Sequence, residues 1–241
     1  MKKFYCIIAA AMLTCGICTA DTQYTPVMEL NCNAGDFAQL KDVSPNQSKV
    51  TVYNQDKLGW CDGPDGKALE FTFDYPDTRT PRGCIRVEQP ANFDPSKGFT
   101  LIVKFKTPKD YNHHRRYLIM HLAQGVDKLT GFSVFSTWRA LNCRFGTDSK
   151  LTAKTDTTQL PIKGDTWYDG AIVFDGKEMS VYLNGELSGE PVAGTVPKVG
   201  KAAIWIGATS PGGSGYGFTG AISTIKLYQE VFTADEIAGL E

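Results

Sequence analysis

Seven short segments between residues 99 and 229 predict a single fold class for this chain. Each is rich in β-branched or aromatic residues, often alternates in polarity, and is bounded by Gly, Pro, Asp or Asn, which is typical of strands. They are residues 99–107, 117–123, 131–138, 170–176, 179–185, 202–208 and 220–229. Many short strands separated by turns predict an all-β sandwich of antiparallel sheets.

The clearest local prediction is a double turn in IVFDGKEMSVYLNGELSG, residues 172–189. Asp175-Gly176 ends one strand, so that residues 172–174 can pair back onto residues 179–182. Asn184-Gly185 then supplies the positive φ angles that a tight primed turn requires. We interpret this Asn-Gly pair as a turn rather than as a functional motif.

Length and composition favour a single domain. The chain has 241 residues, 42% hydrophobic and 21% charged, with 24 Gly and 12 Pro, which suits one all-β domain with a substantial core. Near the C-terminus, Thr233 and Glu236 form the pattern of a capping box ahead of Ile237 and Leu240. We therefore predict one domain over residues 21–241 that closes with a short helix.

Residues 1–20 have the pattern of a secretory signal peptide, MKKFYCIIAAAMLTCGICTA. Two lysines precede an apolar stretch that is too short to span a bilayer. The segment ends at Ala20 in small residues, which lie at the positions that a signal peptidase recognises. A lipid anchor would need a small residue before its acceptor cysteine, and neither Cys15 nor Cys18 follows one. Loss of the two lysines leaves 23 of the 25 basic residues against 26 acidic ones, a net charge of −3. We expect a secreted protein, extracellular or periplasmic, without a membrane span or a general affinity for nucleic acid.

Four cysteines follow the signal: Cys32, Cys61, Cys84 and Cys143. An even number in a chain bound for an oxidising compartment predicts two disulfides, and three connectivities stay open. Zinc is the alternative, but the spacings of 29, 23 and 59 residues contain no C-x-x-C pair. We expect disulfides rather than a metal centre.

Five segments carry a family resemblance. They are GPDGKALEF (63–71), KGFTLIVKFKT (97–107), TWYDGAIVFDGKEMSVYLNGELSG (166–189), IWIGA (204–208) and FTGAISTIKLYQEVFTADEIAGL (218–240). Together they resemble the laminin-G-like, concanavalin A-like jelly-roll family of secreted bacterial proteins, over residues 25–241. The last segment is the most specific, since a glycine-led strand followed by a short helix is similar to the family's usual ending. The resemblance implies two antiparallel sheets face to face, one of them concave, and most often a carbohydrate-binding or adhesion module.

Catalytic motifs are missing from the sequence. In the family's glucanases the acids form a Glu-x-Asp-x-x-Glu run, and no glutamate from Glu29 to Glu236 begins one. The sequence contains no G-x-S-x-G elbow or H-E-x-x-H helix, and glycine-rich residues 212–218 lack the Lys-Ser/Thr ending of a phosphate loop. Acids from separate strands could still converge, so a glycoside hydrolase or polysaccharide lyase stays open as an alternative.

A basic region surrounds the adjacent histidines His113 and His114. The pair could act as an acid/base or metal site, but neighbouring strand residues point to opposite faces, which favours a solvated loop. The cations of the region are Lys104, Lys106, Lys109, Arg115 and Arg116. Lys104 and Lys106 share a strand face where an anionic glycan could dock, although a charged, solvated face explains them more simply.

Sugar binding calls for an aromatic platform flanked by polar groups, because the apolar face of a pyranose stacks on a flat ring. The candidates are Tyr75, Tyr111, Trp138 with the adjacent Arg139, and Tyr216, beside Arg115 and Arg116. Within strands, Trp167, Trp205 and Phe174 are expected in the core. Trp60, next to Cys61, is expected to pack on a disulfide.

Calcium is the one cofactor that the family resemblance suggests. In CDGPDGK, Asp62 and Asp65 offer carboxylates, and Asp36 and Asp175 lie in other predicted turns. Aspartate before glycine is also ordinary turn chemistry. The sequence requires no cofactor, and calcium is the one that the resemblance leads us to consider.

Together these features predict a secreted, disulfide-stabilised, non-catalytic recognition module. Its partner would be a glycan or a protein of the cell surface or extracellular space. The alternatives are an enzyme acting on polysaccharides and a structural adhesin that binds protein.

Overall fold

The computed structural model describes residues 24–72, 81–109, 116–123, 130–137, 140–147, 150–154, 160–196, 198, 202–208, 211 and 217–240. Its strands are β1 (Met28–Leu30), β2 (Val50–Tyr53), β3 (Leu58–Gly63), β4 (Gly66–Phe71), β5 (Cys84–Glu88), β6 (Phe99–Lys106), β7 (Arg116–Ala123), β8 (Gly131–Thr137), β9 (Ala140–Thr147), β10 (Lys150–Lys154), β11 (Trp167–Phe174), β12 (Glu178–Leu183), β13 (Glu186–Leu187), β14 (Val192–Ala193), β15 (Ala202–Ile206) and β16 (Gly220–Tyr228). One short helix, α1 (Ala234–Ala238), follows them.

The strands form two antiparallel sheets. Sheet A has the order β13-β12-β11-β6-β16-β4-β3, with β1 on β16 and β14 on β12. Sheet B has the order β10-β9-β8-β7-β15-β5-β2. This arrangement confirms the predicted sandwich.

The core lies between the two sheets because alternate side chains of each strand point inward. In β6, Phe99, Leu101, Val103 and Phe105 are buried in one cluster that also holds side chains of sheet B. Across the interface, the ring centroids of Phe99 and Phe132 are 4.5 Å apart. Residues between these inward positions therefore face away from the core, and they are the ones available for function.

The predicted turns are confirmed. Ile172 pairs with Val181 and Phe174 with Met179, and Asn184 and Gly185 have φ angles of 48° and 75°. The left-handed φ angles at these two residues are those that a primed hairpin turn needs.

Helix α1 begins with the predicted capping box. Thr233 donates its backbone N–H to Glu236 Oε2 at 2.7 Å, and the Thr233 hydroxyl accepts from the Glu236 backbone N–H at 3.3 Å. Ile237 then packs on the outer face of sheet A with Ile102 and Val173. Among the described residues no helix combines the length and apolar character needed to cross a membrane.

The two predicted disulfides are not formed: Cys32, Cys61, Cys84 and Cys143 are free thiols. Cys32 and Cys143 lie in the inter-sheet core, whereas Cys61 and Cys84 occupy outward positions of β3 and β5. Strands β5 and β9 are four steps apart in sheet B, about 19 Å at the usual strand spacing, which is too far for Cys84 to bridge to Cys143. The sandwich therefore separates most of the cysteine pairs that the sequence leaves open.

Trp60 does not pack on a disulfide, contrary to the expectation from the sequence. Its indole lies against the inter-sheet core, with its ring centroid 5.2 Å from that of Phe37. The sequence-based expectation for this residue was wrong, because its neighbour Cys61 points to the opposite face of β3.

Candidate functional site

An aromatic pair lies on the outer face of sheet B. Tyr53 at the end of β2 and Trp205 in β15 stack with ring centroids 5.7 Å apart and an interplanar angle of 30°. We call these two residues the aromatic platform. Both side chains are partly exposed. Ile204 and Ile206 point into the inter-sheet core, so Trp205 between them points outward, contrary to its expected core position.

An ion pair flanks the aromatic platform. Arg86 of β5 is in direct register with Trp205, and its Nη1 atom lies 3.5 Å from Glu88 Oε1. The Arg86 side chain is only 16% exposed, whereas that of Glu88 is 50% exposed. An aromatic surface edged by a guanidinium and a carboxylate can stack on a sugar ring and hydrogen-bond its hydroxyls.

Three chain connections meet beside the aromatic platform. Asn54 directly follows Tyr53, has a left-handed φ of 48°, and donates from Nδ2 to the carbonyl oxygens of Arg82 at 2.7 Å and Pro211 at 2.9 Å. Tyr75 and Tyr216 belong to the segments that adjoin Arg82 and Pro211, but both lie outside the described residues. Asn54 thus fixes the described ends of these segments next to the platform.

A buried polar cluster lies farther along the same face, on β8 and β9. It consists of Ser133, Phe135, Asn142 and Arg144, which alternate with core residues and therefore point outward. Ser133 is 0%, Asn142 1% and Arg144 9% exposed. The Arg144 guanidinium lies 5.0 Å from the ring centroid of Phe135, and Asn142 Nδ2 donates to the carbonyl oxygen of Ala140 at 3.1 Å.

Two side-chain oxygens of this cluster are buried without a hydrogen-bond partner among the described residues. Ser133 Oγ and Asn142 Oδ1 have no hydrogen-bond partner within the described part of the chain. Buried polar atoms are nearly always paired, so these two are candidates for contact with a bound molecule. The sequence gives no hint of this cluster, because β9 is not among the predicted strands.

On the outer face of sheet A, Lys104 and Lys106 have acidic partners. Lys104 Nζ lies 3.2 Å from Asp169 Oδ1, and Lys106 Nζ lies 3.2 Å from Asp165 Oδ1 and 5.5 Å from the ring centroid of Trp167. Trp167 is partly exposed here rather than buried in the core. The simpler interpretation, a solvated face with balanced charges, fits these lysines better than an anion site.

Four of the other predicted binding residues fall in parts of the chain that the structure leaves undescribed. Tyr111, Arg115, Trp138 and Arg139 all lie outside the described residues. Arg116 begins β7, where it pairs with Ser136 of β8. These candidates stay predictions.

One of the two candidate calcium ligands, Asp62, has a lysine partner. Asp62 Oδ1 accepts a hydrogen bond from Lys67 Nζ at 2.7 Å, and this hydrogen bond lowers the pKa of Asp62. Asp65 lies in the turn between β3 and β4. No group of three or more His, Cys, Asp or Glu side chains in the described ranges could hold a metal ion. Calcium binding at Asp62 and Asp65 stays a prediction.

The distribution of carboxylates also bears on catalysis. Over their described lengths, the strands of sheet B carry one carboxylate, Glu88. A retaining glycosidase needs two carboxyl groups about 5 Å apart. Local hydrogen bonds lower the pKa of Asp62, Asp94 and Glu236, a direction opposite to that of a general acid. The strands therefore do not supply a catalytic pair on this face.

Comparison with known proteins supports the fold. The binding domain of Paraclostridial Mosquitocidal Protein 1 matches with a TM-score of 0.66 and 16% identity, over 90% of this chain and 51% of that one. The binding domain of botulinum neurotoxin serotype G matches with a TM-score of 0.65 and 13% identity, over 89% and 50% of the two chains. The chain thus spans about half the length of these structures, and at such identities the likeness shows the fold alone.

Sequence comparison identifies the family. No curated protein sequence matches this chain. Residues 82–238, more than half of the chain, match a family model described as the concanavalin A-like lectin/glucanases superfamily. The chain belongs to this superfamily, in its laminin-G-like branch.

Proposed function

We propose that this protein is a secreted, non-catalytic recognition module that binds a glycan on the outer face of sheet B. The observation that carries the proposal is the aromatic platform, in which Trp205 of β15 and Tyr53 of β2 stack at 5.7 Å across the intervening strand β5. A partly exposed indole offers a flat apolar surface on which the face of a pyranose can stack. Arg86 and Glu88 beside it supply the polar groups that orient a sugar.

Two further observations support binding rather than hydrolysis. Glu88 has no second carboxylate on the described strands of sheet B. The similar solved structures are binding domains of toxins, which supports a binding role for the fold without identifying a ligand. Calcium is not needed for stacking or for the ion pair, and its role is left to experiment.

The test is a glycan array with the mature protein, residues 21–241, run with calcium and again with chelator. We expect selective binding that falls roughly tenfold or more in Trp205→Ala, because the stacking surface is removed. The matched control is Trp167→Ala, which removes a partly exposed indole from the outer face of sheet A and should bind as the wild type does.

Three outcomes would contradict the proposal. Release of soluble products from polysaccharides would establish an enzyme. A blank array in both conditions, with retention on protein surfaces alone, would establish a protein-binding adhesin. Equal loss of binding in both tryptophan variants would place the site elsewhere.

A further inference from the structure

The guanidinium of Arg86 has more hydrogen-bond donors than the protein uses. Its side chain is 16% exposed, and within the described part of the chain its one hydrogen bond runs from Nη1 to Glu88 Oε1 at 3.5 Å. A guanidinium carries five N–H donors, and polar groups that are largely buried are nearly always paired. Arg86 therefore has donors left for an acceptor from outside the protein.

Folding stability does not account for the contact between Arg86 and Glu88. The Glu88 side chain is 50% exposed, and an ion pair in contact with solvent contributes little to stability. The distance of 3.5 Å is also long for a charge-assisted hydrogen bond. What the pair does provide is a donor and an acceptor side by side at the surface of sheet B.

The pair lies within reach of a sugar that stacks on Trp205. Arg86 is the register partner of Trp205, and Glu88 is the register partner of Ala203, two residues earlier in β15. Trp205 is therefore directly opposite the guanidinium and diagonal to the carboxylate, and both relations bring long side chains into contact range. One ring placed on the indole can meet both charged groups through its hydroxyls.

The charges beside the aromatic platform favour a neutral ligand. Because Arg86 is matched by Glu88, an anionic sugar group bound to Arg86 would lie beside a carboxylate and be repelled by it. Lys49 precedes β2, and its carbonyl oxygen accepts from the Glu88 N–H at 3.0 Å. Lys49 is exposed, where an ammonium is strongly hydrated and screened by salt, so it adds little attraction for an anion.

We propose that the ligand is a neutral pyranoside with two adjacent free hydroxyl groups, an inference that rests on the proposed glycan-binding function. One hydroxyl oxygen accepts a hydrogen bond from the Arg86 guanidinium. The neighbouring hydroxyl donates to the Glu88 carboxylate, which can only accept. Glu88 is thus the residue that selects the ligand, because it requires a hydroxyl hydrogen and repels acidic sugars.

The test is calorimetric titration of the mature protein, residues 21–241, with cellotetraose, mannotetraose, xylotetraose and galactotetraose. The matched probes are the same tetrasaccharides after full O-methylation, which keeps the rings and removes the hydroxyl hydrogens, and tetragalacturonate is the acidic probe. We expect at least one neutral probe to bind, with an affinity that stays the same as salt rises because no net charge is screened. Its O-methylated form should bind at least roughly tenfold more weakly.

A single variant separates selection by Glu88 from a structural effect. Glu88→Gln keeps the size of the side chain and removes its charge, so it should weaken binding of the neutral probe by roughly tenfold. The same change should strengthen binding of tetragalacturonate relative to the wild type, because the repulsion is gone, and a loss of structure would not do this. Glu178→Gln, which removes an equal charge from an exposed position on sheet A, should change neither affinity.

Each failure has a distinct meaning. Retention of acidic glycans alone on the array, or binding of the O-methylated probes as tightly as the free ones, would overturn this inference and leave the proposed function standing. Absence of binding to any glycan, in solution and on the array, would overturn both. Neutral binding that is unchanged in Glu88→Gln would exclude Glu88 as the selecting residue.

Discussion

A single carboxylate, that of Asp42, holds the loop after β1 in place. Asp42 is 3% exposed, and its Oδ1 atom accepts from the backbone N–H groups of Glu29 and Ser44, each at 3.0 Å. Its Oδ2 atom accepts from the backbone N–H of Ser48 at 2.8 Å. Three donors that would otherwise be unpaired are thus satisfied by one side chain.

We expect Asp42→Ala to lower the free energy of unfolding by roughly 2 to 3 kcal/mol, because backbone N–H groups in a partly buried loop lose their acceptor. The matched control is Asp36→Ala, an exposed residue that accepts one backbone hydrogen bond from Ala38 at 2.9 Å and should cost less than about 1 kcal/mol. Urea denaturation with an unchanged m-value measures both. Equal effects of the two substitutions would contradict the role assigned to Asp42.

Trp205 shows why the sequence alone did not locate the site. In AAIWI every residue is apolar, so the strand has no alternation that would tell its two faces apart. Only the packing of Ile204 and Ile206 into the core shows that the indole between them points outward. Arg144 and Asn142 were missed for a related reason, since buried polar residues on an outer face carry no periodic signal of their own.

At the scale of secondary-structure elements, the sequence predicted where strands lie better than it predicted which strands pair. Each of the seven predicted segments overlaps a strand, and β6 ends one residue before its predicted limit. Strands β3 and β4 were not predicted because their glycines, such as Gly59 and Gly66, lower strand propensity and only pairing stabilises them. The order of the strands follows from long-range pairing, which local patterns do not contain.

Helix α1 makes stability depend on pH. The backbone N–H of Thr233, followed by the hydroxyls of Tyr24 and Thr233, lowers the pKa of Glu236 below its ordinary 4.5. A carboxyl group with a lowered pKa in the folded state stabilises the fold above its unfolded pKa, and this contribution is lost as the pH falls through the folded pKa. Tyr24 donates to Glu236 Oε1 at 2.9 Å, so the same carboxylate joins the start of the described chain to its end.

We therefore expect Glu236→Gln to melt at a lower temperature than the wild type at pH 7, with the difference closing as the pH falls below 4.5. Thermal unfolding followed by circular dichroism at several pH values measures the difference. Glu190→Gln, a change of the same charge at an exposed position outside the helix, is the control and should show little effect. A difference that persists unchanged in acid would mean that the carboxylate charge is not the cause.

For the molecule as a whole, the two-sheet arrangement determines which side chains each outer face presents and how far apart the cysteines lie. Helix α1 packs on the outer face of sheet A, where Lys104 also pairs with Asp169, whereas the outer face of sheet B presents the aromatic platform. The same division keeps the cysteines apart, since Cys61 faces outward from sheet A and Cys84 outward from sheet B. A residue count could predict an even number of thiols but not that the layers would separate them.

The last prediction concerns these thiols. Burial raises the pKa of Cys84 to about 12 and raises the pKa of Cys32 and Cys143 further, so all three are protonated and unreactive at neutral pH. We expect the mature chain, purified from an oxidising compartment and unfolded without reductant, to react with four equivalents of a thiol reagent. In the native state only Cys61, which is partly exposed, should react, and slowly, because burial also raises its pKa.

Cys61→Ser is the control, which should abolish native labelling and leave three equivalents after unfolding. Fewer than four thiols in the unfolded wild type, with an intact mass lower by two hydrogens for each missing pair, would show instead that disulfides form.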